Sequence, residues 1–400
     1  MLVAALTVPA CGTAQVPATA AAPPRKLPVA PPTGGPLVVG AERLDQYLPQ
    51  LKNKRVGLVV NQTSRVGKAH LVDTLRARGV NVAAIFAPEH GFRGEEADGA
   101  TIKDGRDARS GVAVRSVYGK TKKPTPEMLA DVDVLVFDIQ DVGARFYTFI
   151  STLHYVMEAA AELNKPVLVL DRPNPNGALV DGPVLEAQHK SFVGLDPLPI
   201  AHGLTVGELA TLLNGEKYLA GGRRCRLTVV PVGKGYTHAT PYALPVRPSP
   251  NLPTTHAVAL YPSICLFEGT NVSVGRGTAT PFEVIGSPSQ PASRPYSFTP
   301  RPNAGSPSPP LNGQLCYGLD LAAAPVSTTS LQLGYLLDFY RQSTDKEHFF
   351  GKYFEQLSGT TALRTQIIAG KSEAEIRASW EPGLGKFKAL RRKYLLYPEK

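Results

Sequence analysis

The chain predicts an α/β fold: a Rossmann-like parallel sheet followed by a second domain. Three observations carry this. From Arg55 to Asn214, short β-branched runs alternate with amphipathic helical stretches, the signature of a doubly wound parallel sheet. Three of the runs stop on clusters of polar residues. Val82–Phe86 leads into Pro88-Glu89-His90-Gly91, Val134–Phe137 into Asp138-Ile139-Gln140-Asp141, and Val167–Leu170 into Asp171-Arg172-Pro173-Asn174. In an open parallel sheet such residues gather outside the carboxyl ends of the strands, where ligands bind. From about residue 221 prolines multiply and the strands become short and isolated, which marks the second domain.

The elements follow in order. Met1–Pro9 is apolar and precedes Ala10-Cys11-Gly12, the pattern of a bacterial lipoprotein signal with lipid on Cys11. Residues 12–36, rich in Ala, Pro and Thr, read as a flexible tether. The expectation is therefore an exported protein of the periplasm or cell envelope, held at a membrane by that lipid. Residues 37–220 hold the Rossmann-like domain. Its strands are Val56–Val60, Val82–Phe86, Val112–Val117, Val134–Phe137 and Val167–Leu170, and its helices are Lys68–Arg78, the short Pro126–Leu129, and Tyr147–Leu163. Thr205, with Glu208 three residues on, caps a helix that Asn214-Gly215 ends. In residues 221–400, Leu227–Val232 and Ala257–Tyr261 read as short strands, and 286–313 has the Pro/Ser composition of a linker. Leu331–Tyr340, Thr361–Ile368, Ser372–Trp380 and Leu384–Leu396 read as helices.

Composition narrows the function. Lys plus Arg number 43 against 33 Asp plus Glu, a net charge of +10 that suits an acidic polymer. Only Lys386–Lys393 is densely basic, and it reads as the wet face of a terminal helix, so no nucleic-acid partner is expected. Asn61–Lys68 lacks both the triple-glycine dinucleotide spacing and the glycines of a phosphate loop. The four cysteines, Cys11, Cys225, Cys265 and Cys316, have no paired metal-binding spacing. No cofactor and no metal are expected. With Cys11 lipidated, at most one disulfide remains possible among the other three.

Glu89 is the first catalytic candidate. A carboxyl directly behind a buried strand, between Pro88 and Phe92, is placed to serve as a general acid. Glu268 lies in a Gly-rich turn with Asn271 and Arg276, donors suited to an amide carbonyl and a carboxylate. Two other readings use the same residues. Glu89, His90, Asp138 and Asp141 could serve a metal-dependent hydrolase. Alternatively the chain could bind cell-wall glycan without turning it over.

Long motifs then carry a resemblance. PEHGFRG (88–94), DIQDVGARFYTF (138–149), DRPNPNG (171–177), HGLTVGELATLLN (202–214), SPNLPT (249–254) and LFEGTNVSVGRGTATPF (266–282) resemble, in this order, the NamZ family of exo-acting β-N-acetylmuramidases. The resemblance covers residues 37–400. It implies a Rossmann-like domain, a smaller α+β C-terminal domain, an active-site cleft between them, and a folded 286–313 segment. It also implies removal of terminal N-acetylmuramic acid from the non-reducing ends of peptidoglycan fragments (muropeptides or disaccharides). On these motifs Glu89, Glu268 and Asp138 stand as candidate catalytic carboxyls. His90, Asp141, Arg145, Tyr147, Arg172, Asn174, His202, Asn271 and Arg276 stand as candidate substrate contacts. Arg145 and Arg276 are the candidates for the lactyl carboxylate of muramic acid, since a guanidinium matches a carboxylate in bidentate fashion. Where the family has a Trp before Ser249, a stacking platform for one sugar face, this chain has Ala243–Arg247.

Overall fold

Five consecutive apolar residues, Val56–Val60, form the central strand, and all five are buried. Side chains alternate across a strand, so such a run requires both faces of its sheet to be covered. In the computed structural model, which describes residues 37–93 and 104–400, they are. Val56, Leu58 and Val60 join one core with Tyr47, Leu71 and Leu75, while Val59 joins another with Phe86, Phe137 and Leu153. Gly57 belongs to this arrangement, because a Cβ there would meet the Phe86 ring at 2.8 Å. The signal-like segment and tether expected over 1–36 lie outside the described residues.

The strands in chain order are β1 (Val56–Val60), β2 (Arg65–Val66), β3 (Ala69–His70), β4 (Val82–Ala87), β5 (Gly105–Arg106), β6 (Ala113–Ser116), β7 (Val134–Asp138), β8 (Pro166–Leu170), β9 (Val180–Val184), β10 (Pro199–His202), β11 (Arg226–Val230), β12 (Val284–Ser287), β13 (Tyr296–Phe298) and β14 (Cys316–Asp320). The helices are α1 (Leu44–Leu51), α2 (Leu71–Ala77), α3 (Phe149–Glu162), α4 (Val206–Gly215), α5 (Thr255–Ile264), α6 (Gly334–Gln342), α7 (Phe354–Ser358), α8 (Ala362–Ile368) and α9 (Glu373–Arg391).

Seven strands form the main sheet in the order β11-β8-β7-β1-β4-β6-β5. Every pairing is parallel except β5 with β6. The chain leaves β1 for β4 and β6 on one side, then returns for β7, β8 and β11 on the other. The carboxyl ends of β1, β4 and β7 therefore flank a topological switch point, the expected place for a ligand. A smaller antiparallel sheet, β12-β14-β13, contains part of the Pro/Ser-rich segment, which is folded.

Several local expectations change. Leu227–Val232 is not isolated: β11 lies past residue 220 yet pairs along β8 in the main sheet. Ala257–Tyr261 is helical, inside α5, because the Thr254 hydroxyl caps the Ala257 amide at 2.9 Å. A short apolar run alone does not separate helix from strand. The last two expected helices are one, α9, which continues through Pro382. Its capping box at Ser372 and Glu375 and its buried stripe of Ile376, Trp380, Leu384 and Phe387 outweigh the hydrogen bond that proline removes. Cys225, Cys265 and Cys316 are free thiols. Among the described residues no helix is long and apolar enough to cross a membrane.

The described residues belong to one compact unit. Its apolar core runs from the sheet through α3 and α4 to α5, α6 and α9. The chain's last segment is fastened to the far end of β8. Tyr397 donates its hydroxyl to Asp171 at 2.6 Å and accepts the Val232 amide at 2.8 Å. Arg391 donates twice to the Gly203 carbonyl, and the Leu396 amide donates to Glu208. Burial, helped by the Glu208 charge, pushes the Asp171 carboxyl up to about 6.

Candidate active site

A cavity beyond the carboxyl ends of β4 and β6, bordered by the start of α3, has a volume of about 550 Å³, within the usual range for small-molecule sites. Glu89 enters it directly from the end of β4. His90 (φ 67°) and Gly91 (φ 71°) both adopt left-handed backbone, turning the chain sharply away behind Glu89. For His90 this costs about 1–2 kcal/mol, and such strain persists only where the surroundings impose it. Here the imidazole is buried, with Nε2 3.3 Å from the Ser249 hydroxyl.

Both oxygens of the half-buried Glu89 carboxyl meet hydroxyls. Tyr118, just past β6, donates to Oε1 at 2.6 Å, and Thr148, at the start of α3, donates to Oε2 at 2.8 Å. A hydroxyl rotates and can accept as well as donate, so this cradle fits the carboxyl with or without its proton.

The second carboxyl in the cavity is Glu268. The Arg276 Nε donates to its Oε1, and the Cys265 thiol donates to Oε2 at 3.4 Å. Arg276 also lies over the Phe282 ring, its guanidinium carbon 5.2 Å from the centroid. Burial pushes the Cys265 thiol well above its usual range, so it stays a neutral donor. A guanidinium has no lone pair to offer a protonated acid, so the Glu268 environment suits a carboxylate held in an ion pair. Tyr147, Tyr261 and Phe282 form an aromatic wall with centroid spacings of 5.0–5.8 Å. The Tyr147 hydroxyl donates to the Pro248 carbonyl at 2.8 Å.

Of the candidates read from the sequence, Glu89, His90, Tyr147, Glu268 and Arg276 line this one cavity. The others do not, and each has a structural task. Asp138 is fully buried and held by Arg172 through two bonds of 2.6 and 2.9 Å, so it does not stand beside Glu89 as a second acid. Arg145 is corrected as a lactyl ligand. It is fully buried, its guanidinium donates to the carbonyls of Pro183, Leu198 and Leu357, and burial pushes it down to about 9. Gly359, at φ 78°, packs directly on that guanidinium, where a Cβ would collide. Asp141 accepts the Gly143 amide and lies 3.5 Å from His202, whose ring is fully buried. Asn174 bridges the Leu204 carbonyl and the Asn176 amide. Asn271 lies outside the cavity lining, its carbonyl accepting Ser287. Glu89, His90, Asp138 and Asp141 thus do not converge. Among the described residues no group of three or more His, Cys, Asp and Glu could hold a metal ion.

Sequence reasoning missed Tyr118, Thr148, Ser191, Phe192 and Lys122, all of which line the cavity. Tyr118 was within reach, since it follows an expected strand just as Glu89 does. Phe192 and Lys122 carry no such signal, because loops bring them in.

Residues 56–256 match the family described as exo-β-N-acetylmuramidase NamZ, N-terminal, and residues 259–397 match its C-terminal counterpart. The chain is 41% identical over 383 residues to the peptidoglycan β-N-acetylmuramidase NamZ of Bacillus subtilis, covering 88% of this chain and 89% of that one. It superposes on the crystal structure of a DUF1343 family protein from Bacteroides fragilis with a TM-score of 0.83 and 45% identity, over 92% of this chain and 100% of that one. A second DUF1343 structure from the same organism gives a TM-score of 0.77 and 32% identity, over 90% of this chain and 99% of that one.

Proposed function

This chain belongs to the NamZ family of exo-β-N-acetylmuramidases, and from that membership we infer its reaction and the residue that drives it. The protein hydrolyses the terminal β-N-acetylmuramic acid linkage at the non-reducing end of peptidoglycan fragments. Glu89 gives its proton to the glycosidic oxygen as the bond to the anomeric carbon breaks. Water then supplies hydroxide to that carbon and returns a proton to Glu89. One observation carries this assignment: among the described residues that line the cavity, Glu89 is the carboxyl held by two hydroxyls, either of which can turn to accept a hydrogen bond from its protonated form. Glu268, oriented by Arg276, presents a second carboxyl group to the same cavity, as glycoside hydrolysis through an oxocarbenium-like transition state commonly uses.

The activity has a direct test. A chromogenic β-linked muramide should be cleaved by the purified protein more than about 10²-fold faster than the corresponding glucosaminide, measured as kcat/KM, because the lactyl ether is the only difference between them. Equal cleavage would refute the specificity, and binding without product would make the protein a glycan-binding module.

We also propose that the enzyme works at the cell envelope, anchored through lipid on Cys11. The support is the apolar Met1–Pro9 stretch before Ala10-Cys11-Gly12 and the Ala/Pro/Thr-rich residues after it. Cys11→Ser should move the protein from the membrane to the soluble fraction on cell fractionation. An unchanged distribution would remove the anchor.

A further inference from the structure

We propose that Lys122, Phe192 and Ser191 form a carboxylate subsite that recognises the lactyl group, with Lys122 setting the preference for muramyl over glucosaminyl substrates. This rests on the activity assigned above and identifies the group that reads the substrate's distinguishing charge.

A cation beside the sugar's O3 would read the lactyl carboxylate most strongly, and the sequence offered Arg145 and Arg276. Arg145 is walled in by three carbonyls, and the Nε of Arg276 is committed to Glu268. Lys122 remains. It lines the cavity, with Nζ 4.5 Å from the centroid of the Phe192 ring. Its neighbour Lys123 is bound by Glu158 and Glu162, whereas Lys122 has no carboxylate partner among the described residues. A contact with an aromatic face positions an ammonium ion without pairing it to an opposite charge.

The platform beneath it is rigid. Ser191 and Gly194 exchange backbone hydrogen bonds of 2.9 and 3.0 Å, closing a tight turn that presents Phe192. The Ser151 hydroxyl on α3 donates to the Phe192 carbonyl at 2.7 Å. The ring stacks on Tyr155, with 8° between planes, and tilts against Tyr118 at 6.1 Å. The Ser191 hydroxyl is a buried group with no hydrogen-bond partner among the described residues, and it too lines the cavity. A buried hydroxyl without a partner is costly unless a ligand supplies one, and a carboxylate oxygen would. Tyr118 links this wall to the reaction, since the ring that touches Phe192 bears the hydroxyl bound to Glu89. Two aromatic rings therefore lie between the ammonium and the proton donor, which suits a sugar whose scissile bond is on C1 and whose lactyl arm reaches outward from O3, two ring carbons away.

The test uses three β-linked chromogenic muramides. One carries the free lactyl acid, one its neutral methyl ester, and one an L-alanyl-D-glutamate whose carboxylates lie farther out. They are compared on the wild type, Lys122→Gln and Lys122→Arg, with thermal melts to confirm folding. A hydrogen bond to a charged group corresponds to roughly 10–100-fold, so the wild type should prefer acid over ester by that factor. In Lys122→Gln the preference should collapse to within about threefold, mainly through KM, and Lys122→Arg should restore most of it. An acid-over-ester preference that survives in Lys122→Gln overturns the assignment. So does a loss confined to the dipeptide substrate, which would give Lys122 to the stem peptide instead. A wild type that cleaves none of the three overturns the activity and this subsite together.

Discussion

Glu89→Gln should lower kcat on a natural disaccharide by about 10²–10⁴-fold, the usual contribution of a positioned general acid. The amide has the size of the carboxyl and still meets both hydroxyls, accepting from one and donating to the other as that hydroxyl turns. Its thermal melt should therefore match the wild type's. It has no proton to give, so the defect should depend on the leaving group. With a nitrophenyl muramide, whose phenolate departs with little protonic help, the loss should be smaller than with a sugar. Single-turnover rates on the two substrates check this. An equal loss on both would point to a binding role, and retained turnover on the disaccharide would move the proton transfer to Glu268.

The largest effect on stability should come from Arg172→Met. The Asp138 side chain is wholly buried and its partner nearly so, and removing one member of a buried ion pair costs about 3–5 kcal/mol. Burial already raises the Asp138 pKa above its ordinary value even with Arg172 in place. A carboxyl whose folded pKa lies above its unfolded value binds protons more tightly when folded. Its contribution favours the native state at low pH and is lost as pH rises through the folded pKa. Without the guanidinium that pKa climbs further, so the stability deficit should be greater at pH 8 than at pH 5. Urea midpoints at the two pH values measure it. The folded fraction should keep a kcat near that of the wild type, since neither residue reaches the cavity. A large kcat loss in folded Arg172→Met would return Asp138 and Arg172 to the reaction.

What could be read from sequence depended on whether the deciding interaction was local. Glu89 was legible because it directly follows a buried run, and a parallel strand delivers the next residue to the ligand side. The α4 cap was legible because Thr205 and Glu208 satisfy each other within one turn. Arg145 was misread for the opposite reason. A guanidinium in a polar motif looks the same whether it meets a substrate or three backbone carbonyls, and one of those, Leu357, is 212 residues away. The Tyr118 and Thr148 cradle was missed because its members come from separate elements that share only an address at the sheet's edge. The single helix α9 was read as two, and its continuity through Pro382 shows that a helix burying four large side chains can carry one missing hydrogen bond.

The fastening of Tyr397 to Asp171 bears on how the molecule is assembled. That hydrogen bond joins residues 226 positions apart, and contacts of such long range must overcome loop closure before they return any stability. Before Tyr397 arrives, Asp171 and the Val232 amide each lack a native partner, and without Arg391 so does the Gly203 carbonyl. A chain emerging amino end first can pair its strands, yet it leaves the end of β8 unsealed until residues 391–397 appear. Sealing of the carboxyl end of β8 therefore waits for residues 391–397, well after the last strand of the main sheet, β11, is in place.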